Sequence, residues 1–124
     1  MRISSDDIDA IGAKGIISKI NAWIGSSKPV YFSVDIDILD PAQAPGIGTP
    51  EVGGWTSREL IQILRGVEGL NVIGADIVEV SPQWDNAGQM TALVASQILY
   101  EILTSISKRG SLQTEEVGSG KHEV

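Results

Sequence analysis

Apolar residues recur along the chain at two different spacings. Where they recur every three or four residues, or at close multiples, they predict three helices: Ile8 to Ile24, Thr56 to about Gly69, and Thr91 to Ile106. Short, almost continuous apolar runs at 30–35 and 72–80 predict two buried strands. The resulting order of helix, strand, helix, strand and helix is an α/β pattern, with a parallel sheet and right-handed crossovers.

Local signals sharpen the ends of these elements. Thr56 followed by Glu59 is a capping box at the start of the second helix, and Gly12 is expected to break the first one. Met1–Ser4 looks like the end of a strand. Residues 35–54 hold three of the five prolines and predict a long ordered loop. The Gly-, Ser- and charge-rich residues 108–124 predict a disordered tail, which leaves residues 1–107 as the folded part.

Amino-acid composition narrows the kinds of partner and site that the chain can have. The 124 residues fit one domain, and the net charge of −7 argues against a nucleic-acid surface while suiting metal ions or cationic small molecules. The absence of cysteine excludes disulfides and thiolate metal sites. The single histidine, His122, lies near the C-terminus, so histidine chemistry inside the fold is not expected. No signal peptide and no membrane span are predicted.

The most informative pair of residues is Asp35 and Asp37, at the end of the first predicted strand. Ligands of α/β proteins bind at the carboxyl ends of strands, and strand alternation would place these two side chains on one face, about 6–7 Å apart at Cα. Two carboxylates that close repel each other unless a cation lies between them, which favours a hard divalent metal. In the simpler alternative, one aspartate caps the loop and the other is solvated. Nucleotide-sugar transferases also use an isolated D-x-D.

The residues around this pair carry a longer pattern. Ser33 to Gly54 read S-x-D-x-D-x-x-D-P-x-x-A-P-G-x-G-T-P-E-x-G-G, and residues 74–82 read G-A-D-I-V-E-V-S-P. This combination resembles the ureohydrolase family of arginases, agmatinases and guanidinobutyrases, and agmatinase-type members most of all. The resemblance covers roughly residues 5–107. It implies a three-layer α/β/α parallel sheet of the arginase type, of which this chain holds only the C-terminal portion. A transferase would leave the glycine- and proline-rich loop unexplained, and its glycines do not form a dinucleotide-binding fingerprint.

The resemblance also assigns roles to four residues. Asp35 would bridge two manganese ions and Asp37 would bind one of them. Glu79 would hold the guanidinium group of the substrate, and Thr49 would support Glu79 or the substrate. The family's remaining metal ligands, a D-x-H-x-D motif and a further histidine, are not in this sequence. The metal site of this chain is therefore expected to be incomplete.

Other acidic residues are expected to have structural roles. We expect Asp40 to shape the turn before Pro41, and Asp85 to cap the last helix. Asp76 has the opposite strand parity to Glu79 and is expected to face another layer or a helix end. Ile47 stands where the family usually has threonine.

The function implied by the resemblance is manganese-assisted hydrolysis of a guanidino compound to urea and an amine. Agmatine is the first expected substrate, followed by guanidinobutyrate and arginine. The alternative is a catalytically incompetent fragment or half-length relative with a structural or assembly role. Homo-oligomerisation, or dependence on an N-terminal half, is expected in either case. The compartment, cytoplasm or mitochondrion, stays undecided.

Overall fold

The computed structural model describes the backbone of residues 1–119 and the side-chain surroundings of residues 1–111. Its elements alternate as predicted, which confirms the α/β class. Helices α1, α2 and α3 and strands β1 and β2 have the bounds α1 Asp7–Ile24, β1 Pro29–Asp35, α2 Ser57–Gly66, β2 Asn71–Val78 and α3 Met90–Ser119. A short 3-10 helix follows each strand, at Ile36–Ile38 and Pro82–Trp84.

The two strands pair in parallel, as the crossover pattern requires. The register runs from Pro29 opposite Asn71 to Asp35 opposite Val78, with one irregularity between Val30 and Tyr31. Both strands therefore end at the same edge of the sheet. The residues after Asp35 and those after Val78 leave the sheet side by side, which is where ligands of α/β proteins bind.

The helices cover one face of this sheet. Phe32 and Val34 of β1 and Ala75 and Ile77 of β2 point to that face and pack against the helices. The buried side chains of the core come from every helix and from the loop after β1; they include Ile16, Ile36, Leu39, Ala44, Ile47, Leu60, Ile63, Leu64, Ile98 and Ile102. On the opposite face Tyr31, Ser33 and Asp35 are exposed. The described residues thus form two layers of the expected three-layer architecture.

Two local predictions about the helices are confirmed. α1 is kinked at Gly12, whose φ of 63° is a left-handed conformation that glycine adopts without strain. α2 begins with the predicted capping box: the Thr56 hydroxyl accepts from the Glu59 amide, and the Glu59 carboxylate accepts from the Thr56 amide. Met1–Ser4, expected as a strand end, form no strand. No neighbouring strand is available there to pair with them within the described residues.

The last helix continues beyond its predicted end at Ile106. Residues 108–119, expected as a disordered tail, belong to α3, while residues 120–124, which include His122, lie outside the described residues. Lys108 pairs with Glu68 at 2.9 Å, and the Arg109 guanidinium donates to the carbonyls of Gly69 and Ser26, both at 2.9 Å. These contacts attach α3 to the turns that precede β1 and β2, and amino-acid composition alone does not predict them.

The described part of α3, Met90–Ser111, is long and apolar enough to cross a membrane. One side of it, however, is an integral part of the core, since Thr91 and Ile98 are completely buried and Ile102 is 5% exposed. Core helices commonly pass the same criteria of length and hydropathy, so this single helix is weak evidence for a membrane span.

Candidate active site

Asp35 and Asp37 are brought together by a turn rather than by strand alternation. β1 ends at Asp35, whose Oδ1 accepts a hydrogen bond from the Asp37 amide at 2.9 Å and so starts the 3-10 helix Ile36–Ile38. The expectation that both residues lie on one strand is therefore wrong, because the backbone turns after Asp35. Here the Asp35 carboxylate, and not a neighbouring strand, accepts the hydrogen bond of the Asp37 amide, as short polar side chains often do at turns.

The two oxygens of the Asp37 carboxylate have different surroundings. Oδ2 accepts a short hydrogen bond, 2.6 Å, from the Thr49 hydroxyl. Oδ1 is buried and has no hydrogen-bond partner. A buried carboxylate oxygen without a donor is costly unless a cation or another ligand satisfies it. The predicted partner of Thr49 was Glu79 or the substrate, but no hydrogen bond joins Thr49 to Glu79 among the described residues.

The loop that carries Thr49 is closed at its base by backbone pairing. The Asp40 amide donates to the Trp55 carbonyl at 3.0 Å, and the Trp55 amide donates to the Ile38 carbonyl at 2.9 Å. The Asp40 carboxylate lies inside this closure and accepts from the amides of Ala42 and Gly53, both at 2.8 Å. These two hydrogen bonds lower the pKa of Asp40. The predicted turn-shaping role of Asp40 is confirmed.

The middle of the loop is fastened to the start of α3. The Gly46 amide donates to the hydroxyl of Thr91 at 2.6 Å, and that hydroxyl donates to Asp85 Oδ1 at 2.9 Å. Asp85 also accepts from the amides of Asn86, Thr91 and Ala92, so it caps α3 as predicted. Burial alone would raise the pKa of Asp85, but the hydrogen bonds from Thr91, Ala92 and Asn86 together lower it.

The same loop is tied to the segment that follows β2. The Gly46 carbonyl accepts from the Ser81 amide at 2.8 Å. Two residues earlier, Glu79 is exposed and has a φ of 65°, a left-handed conformation that is uncommon outside glycine and typical of functional sites. β2 thus ends at Val78, before the predicted end at Val80, because the backbone leaves the extended conformation at Glu79.

Asp76 lies on the open face of the sheet. It accepts hydrogen bonds from the hydroxyls of Tyr31, at 3.0 Å, and Ser33, at 2.6 Å. The hydrogen bond and the charge of Asp76 raise the pKa of Tyr31. The expectation that Asp76 meets another layer or a helix end is not met within the described residues, where its partners come from the neighbouring strand.

The carboxylates fit a hard divalent cation only in part. Carboxylate oxygens are the ligands that such cations prefer, and the free, buried Oδ1 of Asp37 matches that preference. Yet the described side chains contain no group of three or more acids or histidines that could hold a metal. Two acids are too few for a complete site.

Comparison with known proteins places this geometry in a family. A sequence profile described as the arginase family matches residues 1–104. The chain belongs to the arginase family. It is 54% identical over 81 residues to a mitochondrial guanidino acid hydrolase of Homo sapiens, covering 65% of this chain and 23% of that protein. It is 47% identical over 92 residues to an agmatinase of Citrobacter koseri, covering 74% of this chain and 29% of that protein.

A solved structure confirms the arginase-type fold. The chain superposes on the crystal structure of a hypothetical agmatinase from Burkholderia thailandensis with a TM-score of 0.82 and 38% sequence identity. The match covers 87% of this chain and 33% of that one. The chain therefore spans a third or less of the length of these relatives, and the two layers described above are part of a larger arginase fold.

Sequence reasoning missed the hydrogen-bond network that joins Gly46, Ser81, Thr91 and Asp85. Thr91 is predicted from the sequence only as the start of the third helix, but its side chain is completely buried and its hydroxyl binds the loop. A signal was available, since a threonine on the apolar side of a helix needs a partner for its hydroxyl. Ile47, which the resemblance matches to a threonine of the family, is 3% exposed and belongs to the core.

Proposed function

We propose that this chain carries part of the active site of a manganese-dependent amidinohydrolase, which hydrolyses a guanidino compound to urea and an amine. One observation carries the proposal. At the carboxyl end of β1, one carboxylate oxygen of Asp37 is buried without any donor, and Asp35, two residues earlier, accepts a hydrogen bond from the Asp37 amide. An acid pair in that state is suited to a cation, and membership of the arginase family supports manganese as that cation.

Each acidic residue has a defined task in this proposal. Asp35 and Asp37 would hold the metal through their carboxylate oxygens. Glu79, exposed and directed by its left-handed backbone, would accept two parallel N–H bonds from the substrate guanidinium and so orient its carbon. A bound divalent metal supplies Lewis-acid activation of the water that attacks this carbon.

Agmatine is the first candidate substrate. It carries a positive charge at both ends at neutral pH, whereas guanidinobutyrate and arginine also carry a carboxylate. The net charge of −7 favours attraction of the dication over the other two. The names of the relatives divide between an agmatinase and a guanidino acid hydrolase, so guanidinobutyrate is the second candidate and arginine the third.

A second candidate is a family member without activity that serves in assembly. Two observations favour it: the described side chains offer only two neighbouring metal-binding acids, and large apolar side chains remain exposed on the strands and on α3, including Tyr31, Ile73 and Leu103. Such surfaces are typical of proteins that associate with another chain. Under this candidate the acid pair would bind no metal, and no urea would be released.

Titration of the 124-residue chain with Mn²⁺ in a calorimeter tests the proposal. We expect binding by the wild type, loss of binding in Asp35→Asn and Asp37→Asn, and unchanged binding in Asp9→Asn, which removes an exposed acid of α1. Binding that survives both site substitutions would overturn the proposal. Urea release from agmatine, compared with guanidinobutyrate, then separates the enzyme from the assembly protein.

A further inference from the structure

We propose that Thr49 is a positioning residue, whose hydroxyl holds the Asp37 carboxylate so that Oδ1 is the oxygen presented to a divalent cation. The inference rests on the proposed function and changes the role of Thr49 from supporting Glu79 or the substrate to orienting a metal ligand. Its basis is the 2.6 Å hydrogen bond from Thr49 to Oδ2 together with the buried, unpartnered Oδ1 of the same carboxylate.

The hydrogen bond restricts the rotation of the carboxylate. A free aspartate side chain turns easily about its last torsion, so the plane of its carboxylate can take many orientations. With Oδ2 engaged by a hydroxyl, that rotation would break a short charge-assisted hydrogen bond. Only Oδ1 then remains without a donor. Partners of this kind, behind a metal ligand, typically change metal affinity 10- to 100-fold when they are removed.

The loop holds the Thr49 hydroxyl in place from both sides. Gly46, three residues before it, is bound to Thr91 and Ser81, and Gly53, four residues after it, is bound to Asp40. Pro50 follows directly and disfavours helical backbone at Thr49. The Thr49 hydroxyl is therefore in position before a metal binds. The entropy lost in ordering this side chain is lost when the chain folds, and not when the metal binds.

The exposure of Thr49 makes the inference testable without unfolding the chain. Thr49 is exposed, and its hydroxyl has Asp37 as its partner. Replacement by valine, which has nearly the same shape, removes the hydroxyl and leaves no buried group of Thr49 itself unsatisfied. Replacement by serine keeps the hydroxyl and removes only a methyl group, so the two variants form a matched pair.

The first experiment is calorimetric titration of the 124-residue chain with Mn²⁺ alone. We expect Thr49→Val to weaken Mn²⁺ affinity roughly 10-fold or more, and Thr49→Ser to remain close to the wild type. Thermal unfolding without metal should give similar midpoints for all three proteins. Wild-type affinity in Thr49→Val, or equal losses in both variants, would overturn the inference.

The second experiment needs no metal and separates this inference from the proposed function. Metal-free crystal structures of the three proteins show the orientation of the Asp37 carboxylate; we expect the same orientation in the wild type and in Thr49→Ser, and a turned or disordered carboxylate in Thr49→Val. An unchanged, well-ordered carboxylate in Thr49→Val would overturn the inference. If the structures behave as expected but no variant, the wild type included, binds Mn²⁺, then the orienting role stands and metal binding by this chain is refuted.

Discussion

The acids that close the loop and the acids at the strand end are chemically alike but differ in how many hydrogen bonds they accept. Asp40 accepts two backbone N–H groups, and Asp85 accepts three backbone N–H groups and one hydroxyl. Asp37 accepts a single hydroxyl and leaves one oxygen buried and free, while the Glu79 carboxylate has no hydrogen-bond or ion-pair partner within the described residues.

The difference separates acids that stabilise the fold from acids available to a ligand. A carboxylate with both oxygens engaged by backbone amides is stabilised in its charged form and has fewer lone pairs left for a metal. A carboxylate with a free, buried oxygen is a cost to the metal-free fold and gains when a cation arrives. Asp40 and Asp85 therefore stabilise the fold and are called the scaffold acids below, whereas Asp37 and Glu79 are positioned by the fold. This contrast predicts opposite results for substitutions in the two regions.

The largest effect is expected where the loop closes on Asp40. A Cβ added at Gly54 would lie 2.6 Å from the Asp40 nitrogen and 2.7 Å from the Leu39 carbonyl carbon, and these backbone atoms cannot move aside cheaply. We expect Gly54→Ala to lower the free energy of unfolding by roughly 3 kcal/mol, measured by urea denaturation. Gly48→Ala is the control, because nothing lies within 4 Å of its added Cβ. Equal stability of the two variants would contradict this description of the closure.

A somewhat smaller loss is expected at the connection between the loop and α3. Thr91→Val keeps the shape of the buried side chain but leaves the Gly46 amide without an acceptor. We expect a loss of about 2 kcal/mol in the free energy of unfolding, since a buried donor is left unpaired. Thr91→Ser retains the hydroxyl and should lose less. If valine proved no worse than serine, the Gly46 hydrogen bond would not be what joins the loop to the helix.

The two regions also differ in how far the sequence predicts them. The identity of the scaffold acids follows from local rules: Asp40 before Pro41 signals a turn, and Asp85 before an apolar helix signals a cap. The pairing of Asp37 with Thr49, twelve residues away, depends on how the loop folds back, which no local spacing specifies. The resemblance assigns Thr49 to Glu79 or the substrate, whereas the structure pairs it with Asp37. Strand alternation predicted a strand position for Asp37, which the turn after Asp35 prevents.

The next smaller effect is expected in the pH dependence of the free energy of unfolding, to which the scaffold acid Asp85 contributes. Hydrogen bonding lowers the pKa of Asp85 in the fold below its ordinary value of 3.8, so its contribution is present above that value and is lost as pH falls through the folded value. The stability difference between wild type and Asp85→Asn should therefore shrink as the pH is lowered from 7 towards 3. Urea denaturation across that range measures it. Parallel curves for the two proteins would show that the Asp85 charge is not what the cap uses.

The smallest effect on folding is expected at the strand end, where the effect on metal binding is largest. Asp37→Asn can still accept the Thr49 hydroxyl, and it removes a negative charge beside Asp35. We therefore expect the free energy of unfolding without metal to stay within about 0.5 kcal/mol of the wild type or to rise. Urea denaturation with and without Mn²⁺ checks both parts, with Asp40→Asn as the scaffold counterpart that loses stability in either condition. A metal-independent loss in Asp37→Asn as large as that of Thr91→Val would make Asp37 a scaffold acid and remove the contrast between the two regions.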